Sequence, residues 1–183
     1  APDIWVDSVN TTRDGYVVIA WCRWIDVGVS WAPIGEAADA RSWKMTLVDR
    51  GKSSRLAIDP VSGRWYLSYA RDATSVMFTY SEDNGRTWVQ PEVVWSVTAN
   101  TSAPANWGIY VANDGSVHMT WAEHVERRSW GGEAIWHARL VSLKQGIFEV
   151  RGVVRSISLD EPTLDAPIMA VGPGGSLHLF WNN

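Results

Sequence analysis

Hydrophobic and polar residues alternate in short runs along the whole chain, which is the pattern of half-buried β-strands. One phrase occurs four times, a glycine followed by an alternating run that ends in a large aromatic residue. It reads GYVVIAW from Gly15, GRWYLSY from Gly63, GSVHMTW from Gly115 and GSLHLFW from Gly175. A shorter apolar run precedes each phrase, and turn residues such as those at 113–115 join the two. This combination predicts a β-hairpin in every repeat.

Further strand-like runs follow each hairpin except the last, most clearly SVMFTY at 75–80 and PEVVWSV at 91–97. Four short strands in each repeat of roughly 50 residues are typical of a β-propeller with four-stranded blades. A sandwich does not repeat its strands in one internal order. Only GEAADARSWK at 35–44 has the spacing of a helical turn or two. The predicted fold is therefore an all-β repeat protein, a β-propeller.

The repeats divide the chain into three predicted blades and a half blade, within a single partial propeller that covers 1–183. Their approximate bounds are 1–50, 51–100, 101–160 and 161–183. A propeller whose ring stays open leaves strand edges and blade faces uncovered. We therefore expect about three and a half blades to need a complement. This complement is either the missing blades of a larger propeller or a second chain. The second chain could be another copy of the same sequence, in which case the chain is a self-associating propeller half.

Charge and apolar length limit the possible partners. The 183 residues carry a formal net charge of -4, so the chain has no basic excess with which to bind nucleic acid. No apolar run approaches the ~20 residues of a membrane-spanning helix, and no membrane span is expected. The one cysteine, Cys22, excludes an internal disulfide framework, and we expect it to be a packed thiol at a strand end.

Cofactor motifs and targeting signals add little to the sequence. It contains no phosphate-binding loop, dinucleotide fingerprint or nucleophile elbow, and we expect the protein to use neither a cofactor nor a metal. The chain opens APDIWVDS, without an initiator methionine or a signal pattern. We expect that any signal peptide has been removed and that the protein is extracellular or periplasmic.

The octapeptide SEDNGRTW at 81–88 has the form Ser-x-Asp-x-Gly-x-x-Trp. Asp83 can accept hydrogen bonds from amides of its own turn, and Gly85 can adopt a positive φ. Ser81 can bond locally, and Trp88 can pack back between blades. We interpret these four residues as a structural staple of a hairpin.

The Asp-Asn-Gly within this octapeptide is also found in calcium loops. If Gly85 takes the sixth position of such a loop, Tyr80 stands first and Pro91 twelfth, where carboxylates are required. The spacing therefore favours a structural turn over a metal site.

The octapeptide resembles the Asp box, or BNR repeat, of the sialidase-like β-propellers, and it falls between the third and fourth predicted strands of a blade, as in that family. EAADARSW at 36–43 holds the same place in the first blade and keeps Arg41, Ser42 and Trp43. The resemblance implies a propeller fold with the Asp boxes on the face away from the catalytic pocket. It also implies a carbohydrate-directed activity, that of an exo-glycosidase which hydrolyses sialosides.

An arginine and an acid follow the second strand in each of the first two predicted blades, Arg23 with Asp26 and Arg71 with Asp72. A guanidinium fork binds a carboxylate, and a nearby acid can donate a proton. The resemblance implies that Arg23 and Asp26 match the arginine and general-acid aspartate of an early blade. The candidate catalytic residues are thus Asp26, Arg23 and Arg71. The alternative is that Arg71 and Asp72 form a surface ion pair without a chemical role.

Two groups stand out among the 13 tryptophans. Those that recur with the repeat are predicted scaffold residues: Trp21, Trp43, Trp88, Trp121 and Trp181. Three others, Trp24, Trp107 and Trp130, do not recur and are expected in loops beside carboxylates, where they would stack on the sugars of a glycan or glycoconjugate. The candidate ligand-binding residues are Trp24, Asp72, Trp107, Glu123, His124, Arg127 and Trp130. His118 and His178 occupy one position of the repeat and are expected to fill a recurrent strand position.

Three functions remain open from the sequence. The chain departs from the sialidase-like family at two places. It has Pro2-Asp3-Ile4-Trp5 where that family carries Arg-Ile-Pro. The Tyr–Glu pair of the family has no match here, because all five tyrosines of this chain lie in strand-like runs. The chain is either a sialidase-like glycoside hydrolase or a fragment of one, a non-catalytic Asp-box module that binds a glycan or a protein, or a self-associating propeller half.

Overall fold

A computed structural model describes residues 4–72, 74–97, 102–125, 134–155, 165–172 and 176–182. Over this part of the chain the structure is all-β, and its strands form antiparallel sheets. In each four-stranded sheet every strand pairs with its neighbour in sequence. The predicted all-β architecture of four-stranded repeats is confirmed, whereas the number of blades remains a prediction.

The first two sheets have the same order of strands. The first contains β1 (Ile4–Thr11), β2 (Tyr16–Arg23), β3 (Asp26–Pro33) and β4 (Lys44–Arg50). The second contains β5 (Lys52–Ile58), β6 (Trp65–Arg71), β7 (Ser75–Ser81) and β8 (Glu92–Ser96). Gly15 and Gly63 lie in the first hairpin turn of each sheet with φ of 83° and 73°, a conformation that glycine adopts without a steric cost.

The third sheet is four-stranded and the last has two described strands. The third contains β9 (Ser102–Val111), β10 (Val117–Val125), β11 (Ala134–Ser142) and β12 (Ile147–Arg155). The last contains β13 (Asp165–Val171) and β14 (Leu177–Asn182). No helix in the described ranges is long and apolar enough to cross a membrane.

The segment between β3 and β4 forms the short helical turns that its sequence predicts. Two 3₁₀ turns span Ile34–Glu36 and Ala40–Ser42, and the Asp39 carboxylate accepts a hydrogen bond from the Arg41 amide. This segment and the 81–88 octapeptide both connect the third strand of a sheet to the fourth.

The chain divides into two compact units. The first comprises Ala1–Arg71 and Met77–Glu92, and its core joins alternate residues of the first sheet to alternate residues of the second. On the first sheet these are Val18, Ala20, Cys22, Val27, Val29 and Trp31. On the second sheet they are Leu56, Trp65, Leu67, Tyr69 and Met77. The rings of Trp31 and Trp65 meet edge to face with 5.8 Å between centroids, a favourable aromatic geometry.

The second unit comprises Asp72–Val76 and Val93–Asn183. In it Ala122 of β10 and Ile135 of β11 pack with Leu179 of β14. The Trp95 ring lies 5.7 Å from that of Trp121 and 5.9 Å from that of Trp136, and Trp121 is fully buried. Trp121 thus occupies the scaffold position expected of it, whereas Trp181 on β14 stays 38% exposed.

The turn from Ser81 to Trp88 is held by its own side chains. Asp83 Oδ1 accepts hydrogen bonds from the Thr87 amide (2.9 Å) and from Ser81 Oγ (2.8 Å), and Oδ2 accepts one from Thr87 Oγ1 (2.7 Å). The bonds from Thr87 hold the pKa of Asp83 down at about 2. Ser81 Oγ accepts from the Gly85 amide at 2.9 Å, and Trp88 Nε1 donates to the Gly85 carbonyl oxygen at 3.1 Å.

Gly85 is required for two reasons that can be separated by mutation. Its φ is 79°, and a Cβ atom added there would lie 2.5 Å from the Trp65 ring. Gly63 shares the positive φ but has open space around its Cα. We predict that Gly63→Ala lowers the free energy of unfolding by about 1 kcal/mol. Gly85→Ala should lower it by about 3 kcal/mol, since the core must also move.

Urea unfolding monitored by tryptophan fluorescence measures both values. Equal losses for the two variants would show that Trp65 does not restrict the turn, which would contradict the packing described for Gly85.

Candidate functional site

The first unit has two ends, because successive strands of each sheet run in opposite directions. One end, the cavity end, carries the β2–β3 turn, the β4–β5 link at Gly51 and the end of β6 at Arg71. The opposite end, the turn end, carries the β1–β2 and β5–β6 turns and the Ser81–Trp88 turn. The Gly51 amide donates to the Ile25 carbonyl oxygen at 2.7 Å and ties the link to the β2–β3 turn.

A concave site of about 640 Å³ lies at the cavity end, which is a size suited to a small ligand. Its lining residues all belong to the first unit and are Trp5, Asp7, Cys22, Trp24, Ile25, Lys52 and Ser53. The lining combines two indole rings with one carboxylate and one ammonium group. Such a mixture of apolar surface and a few polar groups is typical of small-molecule sites.

Trp24 reaches this cavity from a strained turn. Trp24 and Ile25 are the two residues between β2 and β3, and Trp24 has a φ of 60°. Glycine is the usual residue at a first turn position with positive φ, because a bulky side chain there crowds the backbone. The Trp24 side chain is nonetheless 71% exposed, so its ring gains little from burial. Strain combined with exposure points to a functional ring rather than a structural one.

A chain of hydrogen bonds forms the polar wall of the cavity. The Cys22 thiol donates to Ser54 Oγ at 3.7 Å, and the Ser54 hydroxyl and amide each donate to Asp7 Oδ2 at 2.8 Å. Burial, together with the nearby Asp7 carboxylate, raises the pKa of Cys22 to about 11. The thiol is therefore protonated and packed, as the sequence predicts, and is not a nucleophile.

Arg23 and Asp26 do not line this cavity. They are cross-strand partners on either side of the β2–β3 turn, yet no hydrogen bond or ion pair joins them in the described structure. Arg23 points to the other face of β2 from Cys22, where it borders an apolar recess with Ile4 and Trp43. The two residues are thus neighbours, but the structure separates the Arg23 side chain from the indole rings of the cavity.

Arg71 is committed to a partner that the sequence did not indicate. Its guanidinium and the Tyr69 hydroxyl both donate to Asp49 Oδ2 on β4. The suggested surface pair of Arg71 with Asp72 is therefore corrected: Arg71 pairs with Asp49, while Asp72 adopts a left-handed backbone with a φ of 54°.

The same contacts set the ionisation of this cluster. Burial alone would raise the pKa of Asp49, but the hydrogen bonds from Tyr69 and Arg71 outweigh it and the pKa is lowered. Burial and the bond to Asp49 raise the pKa of Tyr69, which is fully buried. Tyr69 is consequently a protonated donor and not a nucleophile.

The candidates of the third repeat lie on strands where they are described. Glu123 and His124 belong to β10 and Trp107 to β9, so the expectation that Trp107 lies in a loop is wrong. The two strands pair as far as Ser102 with Val125, and that pairing extends them beyond the repeated phrase. Glu123 accepts a hydrogen bond from Trp136 Nε1 at 2.9 Å. The remaining two candidates, Arg127 and Trp130, lie outside the described residues.

His118 and His178 share a strand position, as their place in the repeat predicts, and each makes the same type of hydrogen bond to a serine. Each Nε2 bonds to the serine two residues earlier, at 2.8 Å for Ser116 and 2.9 Å for Ser176. His118 Nδ1 also bonds to Nε2 of His137 at 2.9 Å, and the two rings stack. Nothing in the local sequence indicates His137, because the pairing of β10 with β11 creates this contact.

Comparison with known proteins identifies the fold and no family. No family model matches the chain, and no curated protein sequence matches it. Among solved structures, it aligns with a GH43 glycoside hydrolase engineered for endo-xylanase and exo-arabinofuranosidase activity, at a TM-score of 0.64 and 18% identity, over 98% of this chain and 35% of that one.

Two further solved structures give similar values. A Hadza microbial sialidase aligns at a TM-score of 0.65 and 14% identity, over 97% of this chain and 42% of that one. The α-L-arabinanase of Penicillium chrysogenum complexed with arabinobiose aligns at 0.60 and 13% identity, over 94% and 55%. The structural neighbours are propeller folds, and this chain spans between 35% and 55% of the length of these three.

The His118–His137 contact predicts a pH dependence of stability. Burial and the neighbouring charges of His137 and Arg139 lower the pKa of His118 from 6.5 to about 4, against the opposing effect of Asp114. The pKa of His137 is also lowered, mainly by burial and then by the charge of Arg151, while the charge of Glu149 acts in the opposite direction. Between pH 6.5 and about pH 4 the unfolded chain therefore binds more protons than the folded one. Stability should therefore be complete above pH 6.5 and fall as the pH drops towards 4.

Urea midpoints measured from pH 7 to pH 4.5 test this dependence. His118→Gln should make the decline shallower by roughly one bound proton. His178→Gln, at the same position of β14 with an exposed ring, should leave the decline unchanged. An identical slope in the His118 variant and the wild type would contradict the prediction.

Proposed function

We propose that the chain is part of a carbohydrate-directed, sialidase-like propeller and that a sugar binds in the cavity beside Trp24. The observation that carries the proposal is an exposed indole ring held in a strained turn at the mouth of a concave site. An indole offers an apolar face to the C–H groups of a sugar ring, while its N–H remains a hydrogen-bond donor. Trp5, also exposed, provides a second ring in the same lining.

The polar groups of the cavity suit sugar hydroxyls. Asp7 Oδ1 accepts no hydrogen bond within the described structure and lies 4.0 Å from the Arg55 guanidinium, so its lone pairs remain open to a hydroxyl donor. Lys52 has no ion-pair partner among the described residues and can donate to a ring or hydroxyl oxygen. One acceptor and one donor beside two rings match the alternation of hydroxyl groups and C–H surface on a sugar.

Two other observations support a carbohydrate ligand. The structural neighbours are glycoside hydrolases of the sialidase and GH43 types, although identities of 11% to 18% limit the comparison to the fold. The Ser81–Trp88 turn, which resembles an Asp box, lies at the turn end, opposite the cavity. This agrees with the arrangement that the resemblance implies for a ligand site.

The placement of the carboxyl groups favours binding over hydrolysis. Most glycosidases use a pair of carboxyl groups that flank the scissile bond. In the described structure Asp7 is the one carboxylate of the lining, and Asp26 does not line the cavity. The binding function is therefore our first proposal.

Trp24→Gly tests the binding site through two effects of opposite sign. Loss of the ring should weaken glycan binding roughly tenfold or more, equivalent to about 1.4 kcal/mol. Relief of the left-handed backbone should raise the free energy of unfolding by about 1 kcal/mol. A glycan array followed by calorimetry measures the first effect, and urea unfolding measures the second.

Two further variants control this experiment. Trp24→Phe keeps an aromatic ring and should retain most of the affinity. Asn84→Gly also relieves a residue with a φ of 59°, but at the turn end, and should leave glycan binding unchanged. An array that stays blank with folded protein, or a Trp24→Gly variant with wild-type affinity, would refute the proposal.

A second candidate function, glycoside hydrolysis, is favoured by the activities of the structural neighbours. The resemblance would assign proton donation to Asp26 and carboxylate binding to Arg23 and Arg71. If so, the protein releases sugar from aryl sialosides or related glycosides, and Asp26→Ala lowers turnover by about 100-fold or more.

Asp14→Ala, in the β1–β2 turn at the opposite end, is the matched control and should leave turnover unchanged. Absence of sugar release, or unchanged turnover in the Asp26 variant, would exclude this role for Asp26. Glycan binding without hydrolysis would leave the first proposal standing alone.

A further inference from the structure

The first sheet has one covered face and one open face. On β2 the covered face holds Val18, Ala20 and Cys22, which pack into the core of the first unit. The open face, as we name the other side, consists of Val17, Ile19, Trp21 and Arg23 on β2 with Ile4, Val6, Trp43 and Met45 from the flanking segments. Ile4, Val6 and Met45 are each more than half exposed, whereas Trp21 is 8% exposed and lines the recess of this face. The open face holds a recess of about 320 Å³ with an almost entirely apolar lining.

The repeat gives this open face a covered counterpart in the second sheet. Alignment of Gly15 with Gly63 places Val17, Ile19, Trp21 and Arg23 at the positions of Trp65, Leu67, Tyr69 and Arg71. In the second sheet the first three of these pack against the first sheet, in one core with Val18 and Trp31. The open face is therefore the surface that, one repeat later, is buried against a neighbouring sheet.

The covered counterpart ends in a charged contact. Arg71 donates to Asp49, which stands one residue before the end of β4, and Tyr69 donates to the same carboxylate oxygen. Arg23 occupies the position of Arg71 and is exposed, and it has no hydrogen-bond or ion-pair partner in the described part of the chain. The first sheet thus repeats the arginine of this contact without its acid.

We propose that the open face of the first sheet docks another four-stranded antiparallel sheet of this repeat, whose last strand presents a carboxylate to Arg23. Two observations carry the assignment: continuity with the interface between the first and second sheets, and the unmatched charge of Arg23. The proposal is independent of the sugar site, which lies on the other face of β2. It makes Arg23 an interface residue, and so it competes with a substrate role for this arginine.

A chain with one added repeat tests the proposal. The probe is a second copy of residues 1–50 placed before Ala1 of the full chain, so that the added Asp49 stands opposite Arg23. We expect the fluorescence of an apolar dye such as ANS to fall and the Tm to rise by roughly 2–4 °C or more. Unchanged dye binding and an unchanged Tm in the extended chain would overturn the proposal.

Charge reversal then tests the predicted ion pair. In the extended chain Arg23→Glu should lower the Tm by roughly 2–4 °C, and Asp49→Lys in the added copy should restore it. In the chain without the addition, Arg23→Glu should leave the Tm unchanged. Arg13→Glu, the same change at an exposed position of the turn end, is the control and should be neutral in both chains. A loss in the extended chain that the second substitution does not rescue would contradict the assignment.

Two measurements on the chain without the addition keep the test decisive if the extended protein does not fold. Arg71→Glu should lower the Tm and Asp49→Arg should rescue it, because the proposal takes this contact as its template. Without that coupling the proposal fails. Sedimentation of the chain without the addition should show no dimer that depends on Arg23. A dimer that Arg23→Glu dissociates would mean that a second copy of the chain occupies the open face. That result would overturn the docking of a separate sheet.

Discussion

The alternation of side chains between the two faces of each strand governs the first unit. On β2 it sends Val18, Ala20 and Cys22 to the core shared with the second sheet and turns Arg23 to the opposite side. A shift of one residue in the register would exchange these sets and remove the core. Because the same alternation fixes which residues reach the cavity, the architecture and the candidate site depend on one geometric constraint.

The two ends of the first unit use polar side chains differently. At the turn end, the Asp83 carboxylate accepts hydrogen bonds from the amide and the hydroxyl of Thr87, so it has a structural role within one turn. At the cavity end, Trp24 holds an unfavourable backbone and Lys52 has no ionic partner in the described structure. At the cavity end the strained backbone carries an exposed indole ring, whereas at the turn end Asn84, whose φ is also positive, lies within a turn closed by its own hydrogen bonds. This difference is the usual division between framework and site.

Period-two patterning predicts the hairpins and the order of strands, and the octapeptide at 81–88 predicts its own turn, because each of these depends on residues close in sequence. The Asp49–Arg71 contact could not be predicted, because it joins strands of different sheets. His137 was missed for a similar reason, since strand pairing brings it to His118. Among the lining residues of the cavity, Trp24 stands out in the sequence as a tryptophan outside the repeat, whereas Asp7 and Lys52 look like ordinary polar residues of strands.

The pairing of each strand only with its sequence neighbours has a consequence for the history of such a chain. A sheet of this kind pairs all its strands within one repeat, so duplication or deletion of a repeat leaves the strand pairing of the others intact. Only one interface between sheets is gained or lost, and nearest-neighbour energetics of this type allow gradual changes in copy number. Because the paired strands are neighbours in sequence, only short loops have to close during folding. This favours assembly of one sheet at a time, which can begin while the rest of the chain is still being synthesised.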